Sequence, residues 1–294
     1  MNKPTSHTIL QVERAASDLR RGQTVIYIDK SKKSFLLTAG EYAPDKTSIT
    51  GGQHPAVKLM KLAGLLPQAV IKKMPKNTDS FLSVTQEAIE KYPAALAASL
   101  EKVSEAHVPL KFAENTRVIA FRSRFGHEEH LAVVIGEPKK QAAPVVRLHS
   151  SCVTGDLFGS LRCDCGGQLQ KSLEIISKQK AGVILYLSQE GRAIGIANKL
   201  RAYNLQDNGL DTVEANEKLG FAPDERDFAI GAEMLKQLGL KRITLLTNNP
   251  EKIKALAAYG IEVVRREPIV TKTTVHNRHY LNTKATKLGH RLKE

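Results

Sequence analysis

The chain has 294 residues, 41% hydrophobic and 25% charged, with 44 Lys and Arg against 30 Asp and Glu for a formal net charge of +14. That length supports a sizeable core and two domains; with no run of about twenty apolar residues and no secretory signal in MNKPTSHTIL, neither a membrane-spanning nor an exported chain is expected. The basic residues are scattered (KSKK 30–33, IKKMPK 71–76, PKK 138–140 and the tail from Lys272 to Lys293) and tryptophan is absent, so solvated surface is favoured over a nucleic-acid stripe, with the remaining charge suited to a polyanion such as a nucleoside triphosphate.

In chain order, VERAASDLRR (12–21) reads as an amphipathic helix closed by Gly22. TVIYI (24–28) and SFLLTA (34–39) read as strands across the polar turn DKSKK. SITGGQHP (48–55) is expected to be a loop before the short helix AVKLMKLAGLL, and Ser83 to about Val103 a helix that Pro93 kinks or splits. No clustered acids or paired histidines occur in these first hundred residues, which argues against an independent active site there.

The character changes near residues 105–115. TRVIAFR (116–122) and HLAVVIG (130–136) read as a hairpin across FGHEE, and PVVRLHS (144–150) as a strand leading directly to Cys152. Beyond it come a helix over 166–179, the strand GVILYL (182–187), helices over 194–206 and 226–238, the strand ITLLT (243–247), a helix after Pro250 and the strand IEVV (261–264). The alternation predicts an α/β layer structure.

Cys152, Cys163 and Cys165 are the only cysteines, and all lie in HSSCVTGDLFGSLRCDCGGQL. An odd count at C-x10-C-x-C spacing does not build a disulfide framework. Three thiolates converging on one point suit zinc, and three protein ligands rather than four leave a position for water, the pattern of a catalytic site that generates hydroxide. Small buried hydrophobes, or a closed structural site completed by His149, are the alternatives. Free clustered thiols also fit a reducing cytoplasm.

QEGR (189–192) follows a buried strand and places Gly191 and Arg192 at a helix start, a place where backbone approaches a ligand. LTNNPEK (246–252) repeats the arrangement: Thr247 ends a strand, Asn248 and Asn249 turn the chain, Pro250 opens a helix and Lys252 adds charge, which suits either a phosphate or ordinary capping. PDERDF (223–228) is expected to start a helix, with its acids either capping that helix or, if its end faces the cysteines, placing Asp224 and Arg226 in the site. RAYNLQDNGLDTVEAN (201–216) carries polar side chains able to read a heterocyclic base.

Taken together, these motifs closely resemble GTP cyclohydrolase II, which opens the guanine imidazole ring as the first step toward riboflavin. The likeness runs from about Val103 through the cysteine segment, QEGRAIGIANKLRAYNLQDNGLDTVEANEKLGF, PDERDF, LLTNNPEKI and HYLNTKATKLGH. It implies a mixed-sheet α/β catalytic domain over 105–294, preceded by a smaller α/β domain over 1–104. It also implies zinc on Cys152, Cys163 and Cys165 with water as fourth ligand, Asp224 as proton acceptor, Arg226 as the group attacking the α-phosphate to release pyrophosphate, and Tyr203 as a catalytic tyrosine. Arg147, Gln168, Glu190, Gly191, Arg192, Thr212, Thr247 and Lys252 match nucleotide contacts, with His149, Ser150 and Ser151 on the same side. GTP as substrate, Mg2+ with the nucleotide and a homodimer are implied likewise.

The chain departs from the family pattern at HSSC for HSEC (Ser151), SQEGR for RQEGR (Ser188), GRAIG for GRGIG or GRNIG (Ala193), and IANK for LLNK (Ala197). Losing a charged hydrogen-bonding group at Ser151 would cost about 1.5–3 kcal/mol, which leaves open an altered nucleotide preference or a partial reaction that omits one of the two hydrolyses. The intact Asp224, Arg226 and cysteines argue against a nucleotide sensor or nucleic-acid binder. ERAASDLRRGQTVIYID faintly resembles the opening of dihydroxybutanone phosphate synthase, but that family's acidic metal-binding run is here DKSKKSFLLTAGE, so a non-catalytic N-terminal domain is expected.

Overall fold

Ile9, Val12, Ala15, Ala16 and Leu19 fall on one stripe of helix α1 (Ser6–Arg20) and are buried. The computed structural model describes residues 6–43, 49–52, 54–75, 81–126, 128–271, 273, 274, 277, 283, 286, 287 and 289. Most of HYLNTKATKLGH and of the basic tail, Ser48 and Gln53 of the expected loop, His127 of FGHEE and Lys76 of IKKMPK lie outside the described residues.

The stripe of α1 covers a five-stranded sheet built from β1 (Val25–Ile28), β2 (Ser34–Ala39), β3 (Ile49–Thr50), β4 (Ala69–Lys73) and β5 (Ser83–Thr85), in the order β3-β4-β2-β1-β5. Helices α2 (Pro55–Leu62) and α3 (Gln86–Ala98) complete its core through Leu59, Met60, Ile89 and Tyr92. The segment expected to be a loop contributes β3, and the short AVIKK run, which its charged end disguises, pairs as β4.

The single helix expected over 83–103 is three elements. Thr85 leaves β5 and caps α3, its hydroxyl accepting from Ala88 N at 3.2 Å. Helix α3 runs through Pro93 as one element and ends at Ser99. The chain then turns into β6 (Leu100–His107), which pairs antiparallel with β7 (Thr116–Ser123) from Leu100↔Ser123 to His107↔Arg117. In β6 only Leu100 is buried, so an edge strand with one apolar anchor carried little period-two signal. The expected division at 104/105 falls inside this strand.

The second sheet has seven strands in the order β12-β11-β9-β10-β8-β7-β6, with β8 (Glu129–Ile135), β9 (Val145–Ser150), β10 (Gly182–Leu187), β11 (Arg242–Leu246) and β12 (Glu262–Glu267). Strands β6, β7, β8 and β10 pair antiparallel in turn, whereas β10, β9, β11 and β12 run parallel. Its helices are α4 (Val153–Asp156), α5 (Cys165–Lys178), α7 (Gly195–Asp207), α8 (Thr212–Lys218), α9 (Ala229–Gln237) and α10 (Pro250–Ala258), and α6 (Glu190–Ala193) is a short turn with non-helical backbone at Gly191 and Arg192. Sequence periodicity did not single out α8, which a capping box between Asp211 and Glu214 starts.

PDERDF does not start a helix. The Asp227 carboxylate accepts from Ala229 N at 2.8 Å, which sets the start of α9 at Ala229 and leaves Asp224 and Arg226 on irregular backbone. Strand β9 is central to the parallel set, and the chain leaves it for β10 on one side and β11 on the other. Such a reversal opens a crevice at the carboxyl ends of the strands. The three segments that follow those ends are the cysteine segment after β9, QEGR after β10 and TNNP after β11.

Candidate active site

Cys152 leaves the end of β9, Cys163 sits in the following loop, and Cys165 opens α5. Their sulfurs lie within 4.8 Å of one another, and Cys152 Sγ is 3.8 Å from Cys163 Sγ. Zinc–sulfur bonds of about 2.3 Å in a tetrahedron require sulfurs about 3.8 Å apart, so the donor set fits the metal that it implies. The fold makes room for that approach with two glycines. A Cβ on Gly155 would lie 2.8 Å from Cys163 Sγ and 3.1 Å from Cys152 Sγ, and one on Gly166 would lie 2.2 Å from the Gly155 carbonyl oxygen.

Two carboxylates hold the cluster's first loop. Asp156 accepts from Cys152 N at 3.0 Å, from the Tyr186 hydroxyl at 3.0 Å, and pairs with His149 Nε2 at 3.0 Å. His149 is therefore tied to Asp156 and stacked on Tyr186, ring centroids 5.6 Å apart, and is not among the converging ligands. Burial lowers its pKa, against the opposing pull of Asp156. Glu190 accepts from Val153 N at 2.7 Å and from Lys199 Nζ at 2.8 Å.

Lys199 also reaches Thr154 Oγ1 at 2.8 Å and Cys152 Sγ at 3.1 Å. Burial opposes the charge on this lysine, but the Glu190 bond and the neighbouring Tyr203 and Cys152 hold its pKa above the ordinary value. Hydrogen bonds with Cys163 and Cys165, against burial and with help from Lys199, pull the Cys152 thiol well down, and Cys152 in turn pushes Cys163 up. Tyr203, with Arg162 4.9 Å from its ring centroid, closes this side, and burial raises its pKa.

The cluster sits in an open cleft lined by Arg147, His149, Ser150, Ser151, Gln168, Glu190, Gly191, Arg192, Tyr203, Thr212, Arg226, Thr247 and Lys252 as well as the three cysteines. Arg147 donates to the Leu246 carbonyl at 3.1 Å and to Gln168 Oε1 at 2.5 Å, and Gln168 donates to Asp164. Burial pulls Arg147 down to about 10, so it keeps its charge at neutral pH. Lys252, buried, donates to the Leu148 carbonyl at 2.7 Å, and Thr247 accepts from Asn249 N at 3.1 Å.

Asp224 does not line the cleft; it stands behind Arg226. The guanidinium donates Nε to Oδ1 at 2.8 Å and Nη2 to Oδ2 at 2.5 Å, and its Nη1 reaches Ser150 Oγ at 3.4 Å. Burial disfavours the charged carboxylate, but Arg226 holds Asp224 below the usual range. The structure thus brings every expected site residue except Asp224 to the lining of one crevice. It adds Lys199, which the sequence did not single out, Gln206 and Asn216 from the polar segment 201–216, and the turn residues Asn248 and Asn249. Nothing in IANK marked Lys199, whose burial and contact with Cys152 exist only in the fold.

A family model described as GTP cyclohydrolase II matches residues 101–268. The chain belongs to the GTP cyclohydrolase II family. A GTP cyclohydrolase-2 from Azospirillum brasilense is 48% identical over 244 residues, 80% of this chain and 63% of that one. Proteins named riboflavin biosynthesis protein RibBA from Synechocystis sp. and Aquifex aeolicus are 45% and 44% identical, each over 82% of this chain and over 46% and 63% of their own. The chain thus spans 46–63% of the length of these three relatives.

The departures from the family pattern have distinct structural settings. Ser151 lines the cleft, where its hydroxyl accepts from Gln189 N at 3.2 Å. Ser188 turns away from it: its hydroxyl donates to the Glu129 carbonyl and its N–H donates to His130 Nδ1 at 3.1 Å. Ala193 follows Gly191 and Arg192 in left-handed backbone, with φ values of 61°, 62° and 69° along the three. Gly or Asn, the family's residues at this position, tolerate that region better than alanine.

Ala193→Gly is accordingly expected to raise stability by about 0.5–1 kcal/mol, strain relief exceeding the added unfolded-chain entropy; chemical denaturation measures it, and a loss of stability would contradict the strain. A pH effect follows from His130, which burial pushes down to about 4. A base that is neutral when folded but protonates when unfolded contributes stability above the unfolded value near 6.5 that is lost as pH falls toward the folded value. Stability is expected to fall across that window with up to one proton's slope, about 1.4 kcal/mol per pH unit. His130→Asn, whose Oδ1 can accept from Ser188 N, is expected to remove that share of the slope.

Proposed function

We propose that this chain hydrolytically opens the imidazole ring of GTP, releasing formate and pyrophosphate and leaving a diaminopyrimidinone nucleotide for riboflavin biosynthesis. The observation that carries the reading is the convergence of three thiols, without a fourth protein ligand among the described residues, on the wall of a cleft lined with buried cations. Cys152, Cys163 and Cys165 would hold zinc, which when bound lowers the pKa of a water ligand from 15.7 toward about 7.

The surrounding residues divide the remaining work. Arg147 and Lys252, both buried and charged, face the crevice from β9 and α10 and suit the triphosphate, which Mg2+ accompanies. Ser151, Gln168, Thr212 and the QEGR turn suit the base and ribose. Tyr203 packs between Lys199 and Arg162 beside the cysteines and bounds the reacting end of the purine. Glu190 keeps Lys199 charged beside Cys152, which offsets the negative charge of the thiolates.

The Asp224–Arg226 pair suits the release of pyrophosphate. A guanidinium that attacks the α-phosphate must lose a proton, and the Asp224 carboxylate already receives hydrogen bonds from Arg226 Nε and Nη2. Asp224 is therefore the proton acceptor at those atoms. The N-terminal domain is proposed to be non-catalytic. In the place of the synthase's acidic run, Asp29 accepts from Ser31 and Lys33 N within the β1–β2 hairpin. Three free thiols favour the cytoplasm, and the family likeness supports a homodimer.

Ser151 in the cleft favours one narrower alternative, the same chemistry on a different nucleotide base. Zinc-loaded protein given GTP and Mg2+ is expected to yield formate and pyrophosphate, and Cys163→Ser to lose both products together with the zinc. Unchanged turnover by that variant would contradict the metal assignment, and faster turnover of another nucleotide would select the alternative.

A further inference from the structure

Residues 219–228 carry Asp224 and Arg226 yet form neither helix nor strand, so isolated backbone and side-chain contacts rather than a continuous ladder set their position. On the cleft side, Arg192 Nη1 donates to the Pro223 carbonyl at 3.1 Å and its own carbonyl accepts from Glu225 N at 3.3 Å. The opposite side rests on the N-terminal sheet's helix α2. Lys61 Nζ lies 2.5 Å from Glu225 Oε1, with the two side chains only 26% and 19% exposed. That carboxylate oxygen also accepts from Ala222 N at 2.6 Å, which closes the turn ahead of Asp224.

Packing reinforces the contact. The Lys61 ammonium stands 5.9 Å from the ring centroid of buried Phe221. Gly220, at φ +89°, comes so close to Pro67 that a Cβ would lie 2.9 Å from its ring. The same N-terminal unit grips α7 on either side of Lys199, through Glu41 with Arg201 at 2.6 Å and through the Gly64 carbonyl with Asn198 Nδ2 at 3.4 Å.

We infer that Lys61 is a positioning residue for the Asp224–Arg226 pair, and that the N-terminal sheet acts as a buttress for the cleft of its neighbour. Glu225 is one residue from each member of the pair, so the ion pair that fixes it fixes both. A displacement of about 1 Å at a reacting group is enough to cost about a hundredfold in rate. The effect of Lys61 on turnover rests on the GTP reading above, whereas its effect on the order of the segment does not.

The test uses the full chain as wild type, Lys61→Met, Lys61→Glu, Glu225→Lys and the charge-swapped pair. Amide hydrogen exchange over 219–228 is read beside kcat and KM for GTP. In Lys61→Met, which keeps its stem against Phe221, exchange there is expected to quicken roughly tenfold while the buried amides of α9 are unchanged. The same variant is expected to lose roughly tenfold in kcat with KM within about twofold of wild type. The swapped pair is expected to recover part of both relative to either single reversal, as coupling through the ion pair requires.

Wild-type exchange in Lys61→Met, quickened exchange with unchanged kcat, or a swapped pair no better than the single reversals would each overturn the inference. A wild-type chain that does not open GTP would remove the proposed function instead, and the exchange comparison would still decide whether Lys61 orders the segment.

Discussion

Three sulfurs within 4.8 Å of one another impose an electrostatic condition on everything around them. Two like charges at such a separation repel by about 4 kcal/mol even at an effective dielectric of 20. The thiolates can coexist only with positive charge among them. A bound zinc would supply most of it, and the chain contributes the ammonium of Lys199, 3.1 Å from Cys152. Burying that lysine calls for Glu190, and Glu190 also binds Val153 N, so the first turn after Cys152 is tied to the QEGR loop. The glycines that let the sulfurs approach, and the left-handed turn at Gly191 to Ala193, belong to the same condition.

The parallel strands translate this local chemistry into a cleft. Strand β9 delivers Cys152, β10 delivers Glu190 and β11 delivers Thr247, all at carboxyl ends around the point where strand order reverses. Arg147 and Lys252 are buried beneath them, each donating to one backbone carbonyl, those of Leu246 and Leu148, while Arg147 Nε is left without a partner among the described residues. Such cations are available to an anionic ligand without being drawn off into solvent. The Asp224–Arg226 pair lies on the other wall, on irregular backbone that borrows support from both sheets.

How much of this could be read in advance depended on whether the signal was local. The cysteine segment, QEGR and LTNNPEK are contiguous motifs at strand ends, and the alternation after residue 144 is strongly apolar in its strands, so both site and core layer were legible. Strand β6 was not: it shows one buried residue in eight, and its pairing partner lies beyond a turn. The AVIKK strand was hidden by its two exposed lysines. PDERDF looked like a helix start because acids favour a first turn, but the helix begins only at Ala229, whose N–H donates to the Asp227 carboxylate, and the pair stays outside it. Lys199 and Lys61 escaped notice for a shared reason: each acts through a partner far along the chain, Cys152 at 47 residues and Glu225 at 164.

An open three-thiolate zinc site is tested by X-ray absorption at the zinc edge of the purified full chain. One zinc per chain is expected, with three sulfurs at about 2.3 Å and one oxygen at about 2.0 Å and without the outer-shell scattering of an imidazole. Four sulfurs, an imidazole ligand such as His149, or protein that takes up no zinc would contradict it.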